Sequence, residues 1–260
     1  MSFGVLCLLC IVQGLTEFLP ISSSGHLLLF EQLFGVEGNL LGLNLFLHLA
    51  TLVAVVIVYR GVIWKLIKKP FGPLTYKLIV STTITLVFAV CYKLLNLDRI
   101  ATNIYGFCFL LTAIILFLCH KFKQKSATIS PPEISYKSSI VVGIAQGFAV
   151  LPGLSRSGTT IASLLFLGND DTKSAEYSFL LSVPIIVGGF LTEFISADLK
   201  TSAFAGLSLL DCGFAFILTF VVSILSLKLT IKMLKNNKFI YSSIYLFILS
   251  IFTIIFNFMH

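Results

Sequence analysis

Six stretches of 16 to 19 residues, none with more than one Asp, Glu, Lys or Arg, restrict this chain to one kind of surroundings. They are Asn44–Tyr59, Leu78–Leu95, Ile104–Cys119, Ser178–Ile195, Phe214–Leu229 and Ile240–Phe258. A helix that crosses a bilayer needs ~20 mostly apolar residues. Only 11% of the 260 residues are charged, against roughly 25% in soluble domains. So few charges cannot cover a water-facing surface. The expected fold is an all-α polytopic membrane protein with about six spanning helices and no soluble domain.

The net charge of +7 is compatible with a nucleic-acid binder, but its distribution argues for topology instead. Arg60, Lys65, Lys68, Lys69 and Lys77 fall in one expected loop. Lys121, Lys123, Lys125 and Lys137 fall in a second, and Lys228, Lys232, Lys235 and Lys238 in a third. With Lys173 these make fourteen of the eighteen basic residues, all on one side of the threaded spans. Lys93, Arg99 and Lys200 fall on the other. Positive residues favour the cytoplasmic side, so the three loops are expected inside and the C-terminus outside. Cys7-x-x-Cys10 has redox or metal spacing, yet its apolar neighbours and the lack of a second pair predict buried filler. The N-terminus lacks the basic start of a plain signal peptide.

The chain also repeats itself. At an offset of 133, Ile11, Gln13, Gly14, Ser22, Ser24 and Gly25 coincide with Ile144, Gln146, Gly147, Ser155, Ser157 and Gly158. The expected organisation is a single membrane domain: a first repeat over 1–120, a cytoplasmic linker over 121–137 and a second repeat over 138–260. Each half reads as an interrupted polar segment followed by three spans. Three is odd, so the second copy is expected to be inverted.

Both interrupted segments read as re-entrant helix–turn–helix units. Ser2–Phe18 is helical until Pro20 ends it, and Ser22-Ser23-Ser24-Gly25 starts a helix through Phe34. Ile140–Val150 meets Pro152-Gly153, and Ser155 caps a helix to about Gly168. Non-helical backbone at membrane depth must be buried in protein or line a wet cavity. The two turns are therefore expected to meet.

These segments hold the reactive groups. Gln13 and Glu17 share a helical face and supply hard oxygen ligands suited to Mg²⁺ or Ca²⁺. Ser23 and His26, three apart, have the spacing of a nucleophile and a base on one face. An ionisable Glu17 at membrane depth is costly and points to function. Arg156 stands alone as an arginine in an otherwise apolar segment, where its insertion costs ~2.5–3.5 kcal/mol. An anion beside it would offset that cost, and so would an ion pair with Glu17. Ser22, Ser24, Ser155, Ser157, Thr160 and Gln146 add substrate-binding donors, and a helix start with Arg and hydroxyls makes a phosphate cradle. Under the 133 offset Glu17 faces Val150, Ser23 faces Arg156 and His26 faces Thr159. One half carries acid, hydroxyl and imidazole; the other carries the cation. Phosphoryl transfer needs such a set.

The runs Glu17-Phe-Leu-Pro-Ile-Ser-Ser-Ser-Gly-His26 and Leu151-Pro-Gly-Leu-Ser-Arg-Ser-Gly-Thr-Thr160 resemble the two signature motifs of the undecaprenyl-diphosphatase (BacA/UppP) family. Ala175-Glu-Tyr-Ser-Phe-Leu-Leu-Ser-Val-Pro184 extends the likeness, which covers essentially the whole chain. The resemblance implies a bacterial inner-membrane enzyme that removes the terminal phosphate of undecaprenyl diphosphate and so recycles the carrier lipid for cell-wall polymers. It implies Glu17 as the essential glutamate, Ser23 as the nucleophile, His26 as the catalytic histidine and Arg156 as the phosphate-binding arginine. It further implies dependence on Mg²⁺ or Ca²⁺ at Glu17 and Gln13, with Gln13 removing one charge that the family's motif can carry. The site is expected to face the periplasm, and His48 to be a pocket wall. The expected partners are a polyprenyl diphosphate lipid and the membrane, with a homodimer left open and no nucleic acid.

Two competing readings are weaker. Ser24-Gly25-His26 is similar to a fragment of the phosphatidic-acid-phosphatase signature, but Ala162 stands where that pattern needs His, and no Arg precedes Pro. A transporter of a phosphorylated lipid or small anion would also use inverted repeats and a midplane Arg. It would need no nucleophile, so Ser23 and His26 beside Glu17 favour hydrolysis.

Overall fold

Serine caps set where the short helices begin. The computed structural model describes residues 2–35, 41–122, 133–196 and 208–259. In it α1 (Phe3–Thr16) starts on Ser2, and α2 (Ser23–Leu33) starts on Ser22, whose hydroxyl accepts from the Gly25 N–H. In the second half α7 (Tyr136–Phe148) starts on Ser135, and α8 (Arg156–Phe166) on Ser155, which accepts from the Gly158 N–H. At 1.5 Å per residue, the 14 residues of α1 and 13 of α7 reach only ~20 Å of a ~30 Å hydrocarbon core. Both helices are too short to cross by themselves.

The remaining helices are α3 (Leu41–Val58), α4 (Arg60–Lys68), α5 (Pro73–Leu94), α6 (Asp98–Phe122), α9 (Asp171–Ser196), α10 (Leu209–Lys235) and α11 (Phe239–Met259). Five of them, α5, α6, α9, α10 and α11, contain stretches long and apolar enough to cross a membrane. With α3 as the sixth, they coincide with the six apolar stretches of the sequence. The protein is therefore an all-α, multi-pass membrane protein. The spans turn Leu, Ile, Val and Phe outward, as in Ile244, Phe247, Ile248 and Ile251 of α11, which suits a lipid surround rather than water.

Two expectations about connections need revision. The stretch Arg60–Lys77 is not one loop: α3 bends by 81° into α4, and Lys77 sits buried in α5. Helix α4 alternates Arg60, Lys65 and Lys68 with Trp64 and Ile67, and none of its residues is buried. That pattern suits a helix lying along an interface. Helix α7 begins at Tyr136 rather than Ile140, because the Ser135 cap draws the helix start backward. Most of the expected 121–137 linker lies outside the described residues, as does Lys200.

Packing exchanges partners between the halves. Helix α1 packs most extensively on α10, and α7 on α5; α6 packs on α11 and α3 on α9. Small residues allow the close approaches. A Cβ at Gly14 would lie 2.9 Å from the Thr219 carbonyl of α10, and one at Gly143 would lie 2.9 Å from the Ser81 carbonyl of α5. Hydroxyls then bridge the same interfaces: Ser226 Oγ donates to the Leu15 carbonyl at 2.6 Å, and Ser81 Oγ to the Ser139 carbonyl at 2.7 Å. At the centre the two turns touch. A Cβ at Gly25 would lie 2.7 Å from Gly153 Cα, and one at Gly158 would lie 3.2 Å from Pro20 Cβ. These contacts interchange under the 133 offset.

Candidate active site

Where the turns meet, side chains of opposite charge come together. Glu17 follows the last turn of α1 and is 5% exposed. Arg156, the first residue of α8, donates from Nη2 to Glu17 Oε1. The other carboxylate oxygen, Oε2, accepts from Ser23 Oγ at 2.6 Å and from Gln13 Nε2 at 3.0 Å. His48 of α3 brings Nε2 to 3.6 Å from the same oxygen. One buried carboxylate thus gathers groups from α1, α2, α3 and α8. Burying a charge is costly unless it is paired and hydrogen-bonded, and each Glu17 oxygen has such partners.

All of these groups except Gln13 line a cavity of about 300 Å³, whose polar lining includes Thr16, Glu17, Ser22, Ser23, Ser24, His48, Ser155 and Arg156. The rest of the lining is largely apolar, with Ala149, Val150, Leu154, Ile185, Ile186 and Phe190. A small anionic headgroup with a hydrocarbon tail matches that division. Ser155 and Arg156 stand at the start of α8, where the helix dipole favours an anion.

The remaining sequence-nominated residues lie behind the cavity wall. Ser157 Oγ donates to the Leu19 carbonyl at 3.1 Å, tying the two turns together. Thr160 Oγ1 shares a 2.6 Å hydrogen bond with Ser178 Oγ and donates to the Arg156 carbonyl at 2.8 Å. Gln146 donates from Nε2 to Thr85 Oγ1 at 3.0 Å. All three are buried, and in this arrangement they support the wall rather than face its interior.

His26 departs most from the i, i+3 expectation. Its ring does not reach Ser23. Nδ1 lies 2.7 Å from the Ser22 carbonyl and Nε2 lies 2.8 Å from the Tyr245 hydroxyl. The ring is 2% exposed, stacked on Tyr245 and set edge-on to Phe109. The imidazole that does face the cavity is His48, 31 positions downstream of Glu17. Its Nδ1 donates to the Asn44 carbonyl at 2.7 Å, which leaves Nε2 toward Glu17. No local spacing linked His48 to Glu17; only its place on a span, as a pocket wall, was legible.

Beside Glu17 stands a second hard oxygen donor. Gln13 turns its amide nitrogen to Glu17, and its oxygen Oε1 is buried with no hydrogen-bond partner. Such an oxygen beside a carboxylate suits Mg²⁺ or Ca²⁺, and Mg²⁺ often combines one or two carboxylates with substrate phosphate oxygens. Among the described residues no group of three His, Cys, Asp or Glu forms a self-sufficient metal cage. The residues fit a cation shared with a phosphorylated ligand.

Comparison with known proteins gives a consistent picture. A family model described as bacitracin resistance protein BacA matches residues 6–252. An undecaprenyl-diphosphatase of Carboxydothermus hydrogenoformans is 35% identical over 251 residues, covering 96% of this chain and 95% of that protein. One from Methanococcus maripaludis is 35% identical over 256 residues, covering 96% of this chain and 98% of its own. One from Treponema denticola is 35% identical over 263 residues, with 95% and 94% covered.

Proposed function

The chain belongs to the BacA family of bacitracin resistance proteins, and from that premise we propose that it hydrolyses undecaprenyl diphosphate to undecaprenyl phosphate and inorganic phosphate. The reaction recycles the lipid carrier used in cell-wall polymer synthesis. The observation that carries this reading is the convergence of Ser23, Glu17 and Arg156 on one cavity with an apolar wall.

The geometry accounts for a substrate-triggered reaction. Before substrate binds, Arg156 is paired with Glu17. The terminal phosphate competes for the guanidinium, whose planar fork suits phosphate oxygens. That leaves Glu17 beside the Ser23 hydroxyl it already holds at 2.6 Å, positioned to take its proton. Ser23 Oγ attacks the terminal phosphorus, the bond to the bridging oxygen breaks, and undecaprenyl phosphate leaves. The Ser23 proton passes to Glu17. Water then attacks the seryl phosphate, the Ser23–phosphorus bond breaks, and Glu17 returns a proton to Ser23. Ser22, Ser24 and Ser155 orient phosphate oxygens from the cavity wall. Glu17 and Gln13 Oε1 are the groups that would hold Mg²⁺ or Ca²⁺, and such a cation would neutralise charge on the diphosphate.

The same reading places the protein in the bacterial inner membrane with its site open toward the periplasm. The cavity's α9 wall is Ile185, Ile186, Gly189 and Phe190, in the half of that span remote from Lys173, which supports this orientation. Its two halves, 1–120 and 138–260, are copies of one unit joined by 121–137, as the exchanged helix pairings support. The test is phosphate release from undecaprenyl diphosphate by the purified protein. Release is expected from wild type and not from Ser23→Ala; an equally active Ser23→Ala protein would remove the serine from the reaction.

A further inference from the structure

The two turns solve one geometric problem differently. In the second half the chain reverses at Gly153, whose φ is +87°. The 133 offset places Pro20 at that position in the first half, and a proline ring holds φ near −65°. The left-handed residue therefore moves two positions along, to Ser22, with φ 69° and ψ 100°. Glycine adopts such angles freely, whereas a residue with a Cβ is strained by about 1–3 kcal/mol and persists only where its surroundings hold it. Ser22 immediately precedes Ser23, so its backbone angles aim the Ser23 hydroxyl.

Ser22 is held by the Gly25 N–H on its hydroxyl at 3.4 Å and by His26, whose backbone N–H reaches the Ser22 carbonyl at 3.3 Å and whose ring makes the shorter contact. A carbonyl oxygen can only accept, so the 2.7 Å contact means that His26 Nδ1–H donates to the Ser22 carbonyl. In the neutral ring Nε2 is then the acceptor for the Tyr245 hydroxyl at 2.8 Å. Both nitrogens are engaged, and the ring is packed between Phe109 and Tyr245. The second half carries the same contact: Thr159, at the position equivalent to His26, donates from Oγ1 to the Ser155 carbonyl at 2.9 Å. A threonine suffices there because Ser155 is unstrained, with φ −74°.

We propose that His26 is a positioning residue, oriented by Tyr245, which clamps the Ser22 carbonyl and so keeps the left-handed bend that aims Ser23 at Glu17. It neither accepts nor delivers the reacting proton. The proposal rests on Ser23 and Glu17 being the reacting pair.

The experiment measures kcat and KM for phosphate release from undecaprenyl diphosphate across a variant set, in protein checked for monodispersity in detergent. His26→Ala is expected to lower kcat by roughly tenfold or more, the scale of the strain it no longer opposes. His26→Asn, whose Nδ2 can occupy the place of Nδ1, is expected to recover most of that loss. In a Ser22→Gly background, where glycine needs no clamp, adding His26→Ala is expected to cost several-fold less than in wild type. Tyr245→Phe keeps the stacking but removes the hydroxyl, and is expected to lower kcat a few-fold with KM unchanged. Equal losses from His26→Ala in both backgrounds, with His26→Asn as inactive as His26→Ala, would overturn the proposal and leave a proton-transferring imidazole. Tyr245→Phe with wild-type kcat would overturn the role given to Tyr245. A fully active Ser23→Ala protein would instead defeat the underlying reaction scheme, so the two failures are distinguishable.

Discussion

The hairpin α1–α2 and the hairpin α7–α8 share one backbone plan and carry opposite charge. Each begins on a serine-capped short helix, turns, and restarts on a second serine cap, with a glycine three residues beyond it packed against the other turn. Where side chains enter the cavity the plan diverges: Glu17 and Ser23 on one side, Val150 and Arg156 on the other. A symmetric scaffold with an asymmetric lining can hold a substrate whose ends differ. It also lets one half keep the carboxylate and its hydroxyl partner while the other supplies the cation. The lesson is that shape tolerates duplication, whereas reaction chemistry requires the copies to part.

That contrast can be broken in four ways. The largest effect is expected from Ser23→Ala, which removes the attacking oxygen from the acid half and should cut kcat by more than about a thousandfold. Phosphate-release rates on wild type and variant decide it. Next comes Arg156→Lys in the basic half. A point charge replaces a planar fork, and kcat/KM should fall by about a hundredfold; near-wild-type turnover would show that any cation serves.

The shared plan is tested by Gly25→Ala. Its Cβ would lie 2.7 Å from Gly153 Cα and 2.7 Å from Phe109 Cζ, and backbone cannot yield as a flexible side chain does. A loss of about 1–3 kcal/mol is expected from such overpacking, read as a lower Tm in detergent, and an unchanged Tm would mean that the turns do not touch. The smallest effect is expected from Gln13→Glu, which gives the acid half a second carboxylate. The Mg²⁺ concentration for half-maximal activity should drop a few-fold, whereas excess EDTA should abolish activity in wild type and variant. Activity that survives EDTA would remove the cation from the site.

Short-range order was largely legible before any coordinates. Ser22 and Ser155 cap helices where hydroxyls four and five residues past a broken segment suggested they would, and α8 ends at Phe166, two residues before Gly168. Helix α4 was hidden because its lysines and arginine, counted for topology, read as a loop; their alternation with Trp64 and Ile67 is the signal that periodicity would have exposed. Glu17 and Arg156 were legible as costly charges in an apolar chain, and their ion pair was one of two alternatives, beside an anion held by Arg156. The place of His26 was not legible. Its spacing from Ser23 placed both on α2, but Tyr245, 219 residues away, drew the ring elsewhere, while α3 delivered His48 instead.

The amino-acid order alone settled which segments enter lipid, that helices restart after Ser22 and Ser155, and which charges must find partners at depth. Those outcomes depend on hydrophobicity, capping and solvation, which act over a turn or two of chain. Only folding in three dimensions chose the imidazole at the cavity and set the His26 ring against Tyr245. Those choices depend on which distant surface arrives beside a side chain, and residue spacing carries no record of that.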